Sequence, residues 1–128
     1  MRHAAVHLLL AICLAFGADA KAQGQDGSFF LQACTAAIKQ SDGNQLSPEE
    51  GQLALFCASY VSGFLDGMSL STSSTKSNKI VCTPERGITN DQAARILVKY
   101  LRSNPEILHQ SGRMTFYVAL AKSFPCAR

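Results

Sequence analysis

The side chains of this 128-residue chain that are best suited to catalytic chemistry are its cysteines and His109. A nucleophilic cysteine or serine needs a base within reach, and that base needs a partner that orients it. His109 lies in a polar stretch of a predicted helix, and the residues around it supply no such partner. A solvated surface histidine is therefore favoured, and we predict a protein without catalytic residues that is not an enzyme. An enzyme of a new kind is the alternative.

The sequence predicts no metal, cofactor or nucleic-acid site. Zinc sites use closely spaced ligands such as C-x2-C, whereas successive cysteines in this chain are more than twenty residues apart. On a helix, the adjacent Glu49 and Glu50 would point in different directions and would complement the dipole of its first turn. The formal net charge is +3, and the basic residues are spread along the chain rather than clustered in the stripe that nucleic acid would require.

Residues 1–22 have the order of a secretory signal peptide. A positively charged start precedes an apolar run over residues 4–16, and small residues then offer cleavage after Ala20 or Ala22. The run is shorter than the stretch of about 20 apolar residues that crosses a bilayer, and we expect no later segment to approach that length. The pattern predicts a periplasmic protein without a stable membrane anchor, in which residues 23–128 form one domain.

Lipid attachment at Cys13 is the alternative interpretation of this segment. Ile12 stands where a lipoprotein signal has a small residue, so cleavage of the whole segment is favoured. Cleavage removes Cys13 and leaves an even number of cysteines in a small exported domain, which predicts two disulfides. The four remaining cysteines are Cys34, Cys57, Cys82 and Cys126.

Four helices must position these cysteines, or five if Gly112 divides the last one, so the predicted fold is a small all-α domain stapled by two disulfides. The first helix begins at a cap on Asp26 or Ser28 and runs to about Lys39. A turn rich in Gly and Asn follows it, because these residues tolerate left-handed backbone.

The second helix has the clearest start, a capping box over Ser47–Glu50. Its apolar residues follow at helical spacing as far as Met68 and form a stripe that must be buried. Gly63 and Gly67 predict either the close approach of a neighbouring helix or, at Gly67, the end of this helix. The polar run over residues 69–79 predicts a mobile loop.

The third helix begins at a second capping box, Thr89–Gln92. The fourth is predicted to begin at a cap on Asn104 and to end at Pro125, with Gly112 as an interruption. The apolar stripe expected on this last helix consists of Ile107, Met114, Val118 and Ala121, flanked by Tyr117, Leu120 and Phe124.

The order of the helices suggests a disulfide pairing. The first two helices are joined by a short turn and should form an antiparallel hairpin that brings Cys34 near Cys57. If the last two are also antiparallel, Cys82 lies near Cys126. Four cysteines allow three pairings, and the simplest is Cys34–Cys57 with Cys82–Cys126.

An ordered set of short motifs between Cys34 and Cys126 resembles the Rap/Tai family, immunity proteins for peptidoglycan amidase effectors of the type VI secretion system. Each motif is short, and the specificity comes from their order. The motifs are Cys57-x-x-Tyr60-x-x-Gly63-x-x-x-Gly67, Cys82-Thr83-Pro84, Gly87-Ile88-Thr89, Tyr100-Leu101, Pro105-Glu106-x-Leu108, Ala119-Leu120 and Phe124-Pro125-Cys126.

The resemblance implies a periplasmic helical protein that binds a cognate amidase effector, blocks its active-site cleft and forms a homodimer. The matched residues belong to the scaffold, whereas contacts with a partner usually lie on loops that a scaffold carries. The Ser-rich loop before Cys82 is therefore the predicted contact region, and a solvated connector is the alternative for it. The predicted contact residues are Ser74, Thr75, Lys76 and Lys79.

Two other binding functions fit a small exported helical domain. A periplasmic chaperone that responds to acid would need titratable groups near its core, and the domain has a single histidine. A lipid-binding domain would need an internal apolar cavity. Bound lipid or acid-induced dissociation would identify these alternatives.

Overall fold

The computed structural model describes residues 25–74 and 80–126 of the chain, with side chains omitted for residues 72–74. The predicted signal peptide, together with Cys13, lies outside these residues. The predicted all-α fold with four helices is confirmed, and two isolated antiparallel bridges, Asp26 with Ser111 and Val81 with Pro125, are the β pairings recorded in the described part. The helices are α1 (Gly27–Ser41), α2 (Pro48–Ser74), α3 (Asn90–Ser103) and α4 (Gly112–Ser123), with a 3-10 turn at Pro105–Ile107.

The first three helices begin where hydrogen-bonding side chains satisfy free backbone N–H groups. The Asp26 carboxylate accepts the Phe29 N–H at 2.9 Å, so Asp26 rather than Ser28 caps α1. At α2 the predicted capping box is confirmed, because the Glu50 N–H donates to Ser47 Oγ and the Ser47 N–H donates to Glu50 Oε2. Thr89 Oγ1 likewise accepts the Gln92 N–H at the start of α3.

The second helix is longer than predicted. It continues to Ser74, so the prediction of a loop from Ser69 was wrong for the first part of that run. A helix that has already formed adds each further residue at little cost, and serines extend it when no proline or capping glycine intervenes. Both interpretations of the glycines were also wrong for the described part of the chain. There, α2 passes through Gly67, and a Cβ at Gly63 or Gly67 would meet no neighbouring helix within 4 Å.

Part of α2 is long and apolar enough to cross a membrane. Within Pro48–Ser71, an 18-residue stretch has a mean hydropathy of 1.4 and 17% of it is buried, so the expectation that no later segment approaches spanning length was wrong. A single such helix is weak evidence for insertion, because core helices of water-soluble proteins meet the same criterion. Here α2 supplies Cys57 and Val61 to the core.

The fourth helix begins later than predicted, at Gly112, after the 3-10 turn. Asn104 does not cap it: the Asn104 side chain donates to the Tyr100 carbonyl at 2.7 Å, at the end of α3. The Gly112 N–H has its partner outside the helix, since it donates to the Gln25 carbonyl at 2.9 Å. Glycine fits at this first position of α4 because a Cβ there would overlap the Phe30 ring.

The predicted apolar stripe of the fourth helix had the wrong register. Met114 is 57% exposed, and Ile107 belongs to the 3-10 turn. Thr115 is buried, and its hydroxyl donates to the Gly112 carbonyl at 2.8 Å. The residues of α4 that are buried are Gly112, Thr115, Phe116, Ala119 and Leu120.

The core forms around α1, which packs against the other three helices and most extensively against α2 and α3. Aromatic rings join α1, α2 and α4: the Tyr60 ring lies 4.6 Å from the Phe30 ring, and the Phe64 ring 4.6 Å from the Phe116 ring, between centroids. The largest fully buried side chains are Phe30, Phe116, Leu97, Leu101, Leu120, Val61, Cys34 and Cys57.

Candidate functional site

One disulfide closes the hairpin of α1 and α2. Cys34 and Cys57 are bonded, with their Cα atoms 5.1 Å apart, and both residues are fully buried. The predicted pairing is therefore confirmed for this bridge. Because α1 and α2 are also linked by the Lys39–Glu50 ion pair at 2.8 Å, the hairpin is fixed in the core and at its turn end.

The second disulfide joins Cys82 to Cys126, as predicted, with a Cα–Cα distance of 5.0 Å. It ties the segment before α3 to the segment after α4. Two backbone contacts support it: the Cys82 N–H donates to the Phe124 carbonyl at 2.9 Å, and Val81 forms an antiparallel bridge with Pro125. Val81 is buried, whereas Cys82 is exposed and Cys126 half-buried. This bridge therefore lies at the surface.

A cleft of about 340 Å³ lies between the second half of α2 and the segment that Cys82 anchors. Its two walls come from residues 65–69 of α2 and from residues 81–88. We call the surface formed by residues 65–74 of α2 and residues 80–88 the α2–loop edge. Gly87 shapes the second wall: its N–H closes a turn to the Pro84 carbonyl at 2.8 Å, and its φ of 71° is a left-handed value that favours glycine. The cleft is lined by Leu65, Asp66, Met68, Ser69, Val81, Cys82, Thr83, Pro84, Glu85, Gly87 and Ile88.

The predicted contact segment leaves from and returns to this edge. Ser74 is the last residue of α2, and Ile80 is the first described residue after the segment. Thr75, Lys76 and Lys79 lie outside the described residues, so their contact role stays a prediction. Along the chain, Ser74 and Ile80 lie between the two sets of residues that line the cleft, because the lining ends at Ser69 on α2 and resumes at Val81.

Two exposed apolar residues of the α2–loop edge were missed in the sequence. Leu70 is 72% exposed and Ile80 is 59% exposed. In the sequence, Leu70 interrupts a polar run and Ile80 directly follows it, but the pattern does not show that either side chain is exposed. Large exposed apolar side chains near a cleft are typical of binding surfaces.

The groups considered for catalysis are not assembled into a site. His109 is exposed in the turn after Pro105–Ile107, not within a helix as predicted. Glu50 is engaged with Lys39 and Ser47, and the hydrogen bond from the Lys39 ammonium is the main reason that the pKa of Glu50 is lowered. Within residues 25–74 and 80–126, no group of three or more His, Cys, Asp or Glu side chains is placed to hold a metal ion.

Comparison with known proteins gives one match. A family model for Rap1a immunity proteins matches residues 26–126. This range begins at the N-cap of α1 and ends at the bridged Cys126, so it contains the four helices and both disulfides described above. No curated protein and no solved structure matches the chain.

Proposed function

The chain belongs to the Rap1a immunity protein family, and from that membership we propose that it binds and inhibits a peptidoglycan amidase effector of a type VI secretion system in the periplasm. The observation that carries the proposal is the family match over residues 26–126, which spans the whole described domain. An immunity protein acts by binding a cognate toxin and not by catalysis. The amidase identity of the toxin is part of this proposal, and it is supported by the resemblance of the motifs between Cys34 and Cys126 to the Rap/Tai family.

The periplasmic location is supported by two features of the chain. Both disulfides belong to the folded domain, and disulfides persist in oxidising compartments such as the periplasm. Residues 1–22 carry the charge, apolar run and small-residue order of a cleaved secretory signal. In this proposal, cleavage after Ala20 or Ala22 releases the domain without a membrane anchor.

The α2–loop edge is the surface that we propose for the toxin. It combines a cleft, two exposed apolar side chains and the segment that carries Lys76 and Lys79. The edge is held by the rigid α1–α2 hairpin on one side and by the Cys82–Cys126 bridge on the other. A surface held in place before binding loses less conformational entropy on docking, which favours high affinity.

A homodimer is part of the proposal. Leu55 is 68% exposed on α2, outside the α2–loop edge, and a second copy could cover this apolar surface. Sedimentation of the purified protein should give twice the mass of one chain, whereas a single-chain mass would remove the dimer from the proposal.

The first experiment is a capture from periplasmic extract with the oxidised exported protein, followed by mass spectrometry. A captured cell-wall amidase should lose its activity on peptidoglycan as the protein is added, with complete inhibition near one chain per enzyme. Capture of many unrelated envelope proteins would instead favour a chaperone, and capture of no amidase would contradict the proposed function.

A charge-reversal pair tests the contact surface on the captured amidase. Lys76→Glu with Lys79→Glu should weaken inhibition by at least about tenfold. The reversed charges would repel the acidic groups of the amidase that face the native lysines, and like charges placed together across an interface weaken binding. The matched control is Lys99→Glu with Arg102→Glu, an equal charge change on the exposed side of α3. Equal affinities for the two variants would exclude the segment as the contact region and leave the inhibitory function untouched.

A further inference from the structure

The two disulfides differ in their access to solvent. Cys34 and Cys57 are both 0% exposed, and the side chains of α1 and α2 enclose them. Cys82 is exposed and lines the cleft at the α2–loop edge, while Cys126 is half-buried at the end of the described chain. Thiol–disulfide exchange requires an attacking thiolate to reach a sulfur atom, so its rate depends on this access.

We propose that Cys82–Cys126 is a site of thiol–disulfide exchange, open to dithiol reductants of the thioredoxin class, and that Cys34–Cys57 is closed to them in the folded protein. The bridge is then a modification site, with oxidised and reduced forms of one folded domain. This inference depends on the folded chain alone and does not require the proposed immunity function.

The exchange follows the usual two steps. A thiolate of the reductant attacks the sulfur of Cys82, which is an exposed residue, so a mixed disulfide forms, the Cys82–Cys126 bond breaks and Cys126 leaves as a thiolate. The second thiol of the reductant then attacks the mixed disulfide, and Cys82 leaves in turn. The reductant ends as its own disulfide, and the protein gains two electrons and two protons as two thiols.

Reduction at this site should open one wall of the cleft without unfolding the hairpin. After reduction, residues 80–88 are held to the segment after α4 by the Cys82–Phe124 hydrogen bond, the Val81–Pro125 bridge and the buried Val81 side chain. None of these contacts involves the Cys34–Cys57 bridge. Local opening of this kind is expected where few buried contacts hold a segment.

The test is a time course of reduction of the oxidised exported protein by dithiothreitol, with iodoacetamide labelling and mass spectrometry of each cysteine. Cys82 and Cys126 should become labelled at least about 100-fold faster than Cys34 and Cys57, because the buried bridge reacts only after larger unfolding. The difference should vanish in guanidinium, where both bridges are exposed. Labelling of all four cysteines at one rate under native conditions would overturn the proposal.

A pair of double variants separates exchange at one bridge from loss of the fold. The variant Cys82→Ser with Cys126→Ser should retain its helical circular dichroism. Its backbone N–H at position 82 should exchange hydrogen at least about tenfold faster than the same N–H in the parent. In this variant Cys34–Cys57 should resist dithiothreitol as it does in the parent. Loss of helical structure, or rapid reduction of the remaining bridge, would show that the two bridges do not open independently.

Discussion

The α1–α2 hairpin and the segment from Ile80 to Cys126 are each closed by one disulfide, but the surroundings of the two bridges are opposite. In the hairpin, the sulfur atoms lie in the core. In the second region, the bridge lies at the surface and joins two segments without regular structure. One disulfide is therefore part of the core, and the other is a surface cross-link between two segments.

Two physical effects rank these bridges differently. The entropy of the unfolded chain favours the bridge that closes the longer loop: about 3 kcal/mol for a separation of 23 residues and about 4 kcal/mol for 44. Packing favours the hairpin bridge, because removing buried sulfur atoms also leaves a cavity that costs about 1 kcal/mol per site. Whichever difference is larger, that in loop-closure entropy or that in cavity cost, decides which bridge contributes more to the free energy of unfolding.

Removal of each bridge is the strongest test of this comparison. Cys34→Ala with Cys57→Ala should lower the free energy of unfolding by about 5 kcal/mol, the sum of the loop-closure and cavity costs. Cys82→Ala with Cys126→Ala should lower it by at most about 4 kcal/mol, since an exposed bridge leaves little cavity. Guanidinium unfolding followed by circular dichroism measures both values. The reverse order would show that chain entropy outweighs packing in this domain.

Gly112 tests the contact between the two regions, because α4 begins there against the Phe30 ring of the hairpin. Gly112→Ala should destabilise the protein by about 3 kcal/mol, because its Cβ would overlap that ring and lie 2.7 Å from the Gln25 carbonyl oxygen. Gly63→Ala is the matched control: it lies in a helix with open space around it and should stabilise by up to about 1 kcal/mol. Thermal unfolding compares the two, and similar melting temperatures would mean that α4 can shift away from Phe30.

Local chemistry explains which parts of the fold could be predicted. The caps at Ser47 and Thr89 depend on residues three positions apart, so the sequence specifies where α2 and α3 begin. The disulfide pairing followed from the hairpin, because a short turn brings its two helices together. The start of α4 depends instead on Phe30, more than eighty residues away in the sequence. The spacing of apolar residues within α4 cannot indicate such a contact.

The functional surface was predictable only in outline. The sequence predicts a polar contact segment, and the cleft is lined by residues that precede and follow that segment in the chain. The exposure of Leu70 depends on which side of α2 faces the core, and that of Ile80 on the path of the segment before Cys82, so neither was predicted. The contacts themselves depend on the shape and charge of a second protein, and a scaffold motif such as Phe124-Pro125-Cys126 carries no information about that partner.

The smallest predicted effect concerns charge. Of the ion pairs recorded among the described residues, one lies within the hairpin, one joins the hairpin to α3 and one lies within α3. Arg95 donates to Asp91 at 2.8 Å and pairs with Asp42 at 2.5 Å. The pKa of Asp91 is lowered, first by the hydrogen bond from Arg95 and then by that from Ser41.

A carboxyl group with a lowered folded pKa stabilises the fold above its unfolded pKa, and this contribution is lost as the pH falls through the folded value. For Asp91 the loss should begin near pH 3.8, the ordinary pKa of an aspartate side chain, and be complete at more acidic pH. Because the network is exposed, the loss should be below about 1 kcal/mol. The unfolding free energy of the parent should therefore fall more steeply below this pH than that of Asp91→Asn, which cannot titrate there. Parallel curves would show that solvent screens the network completely.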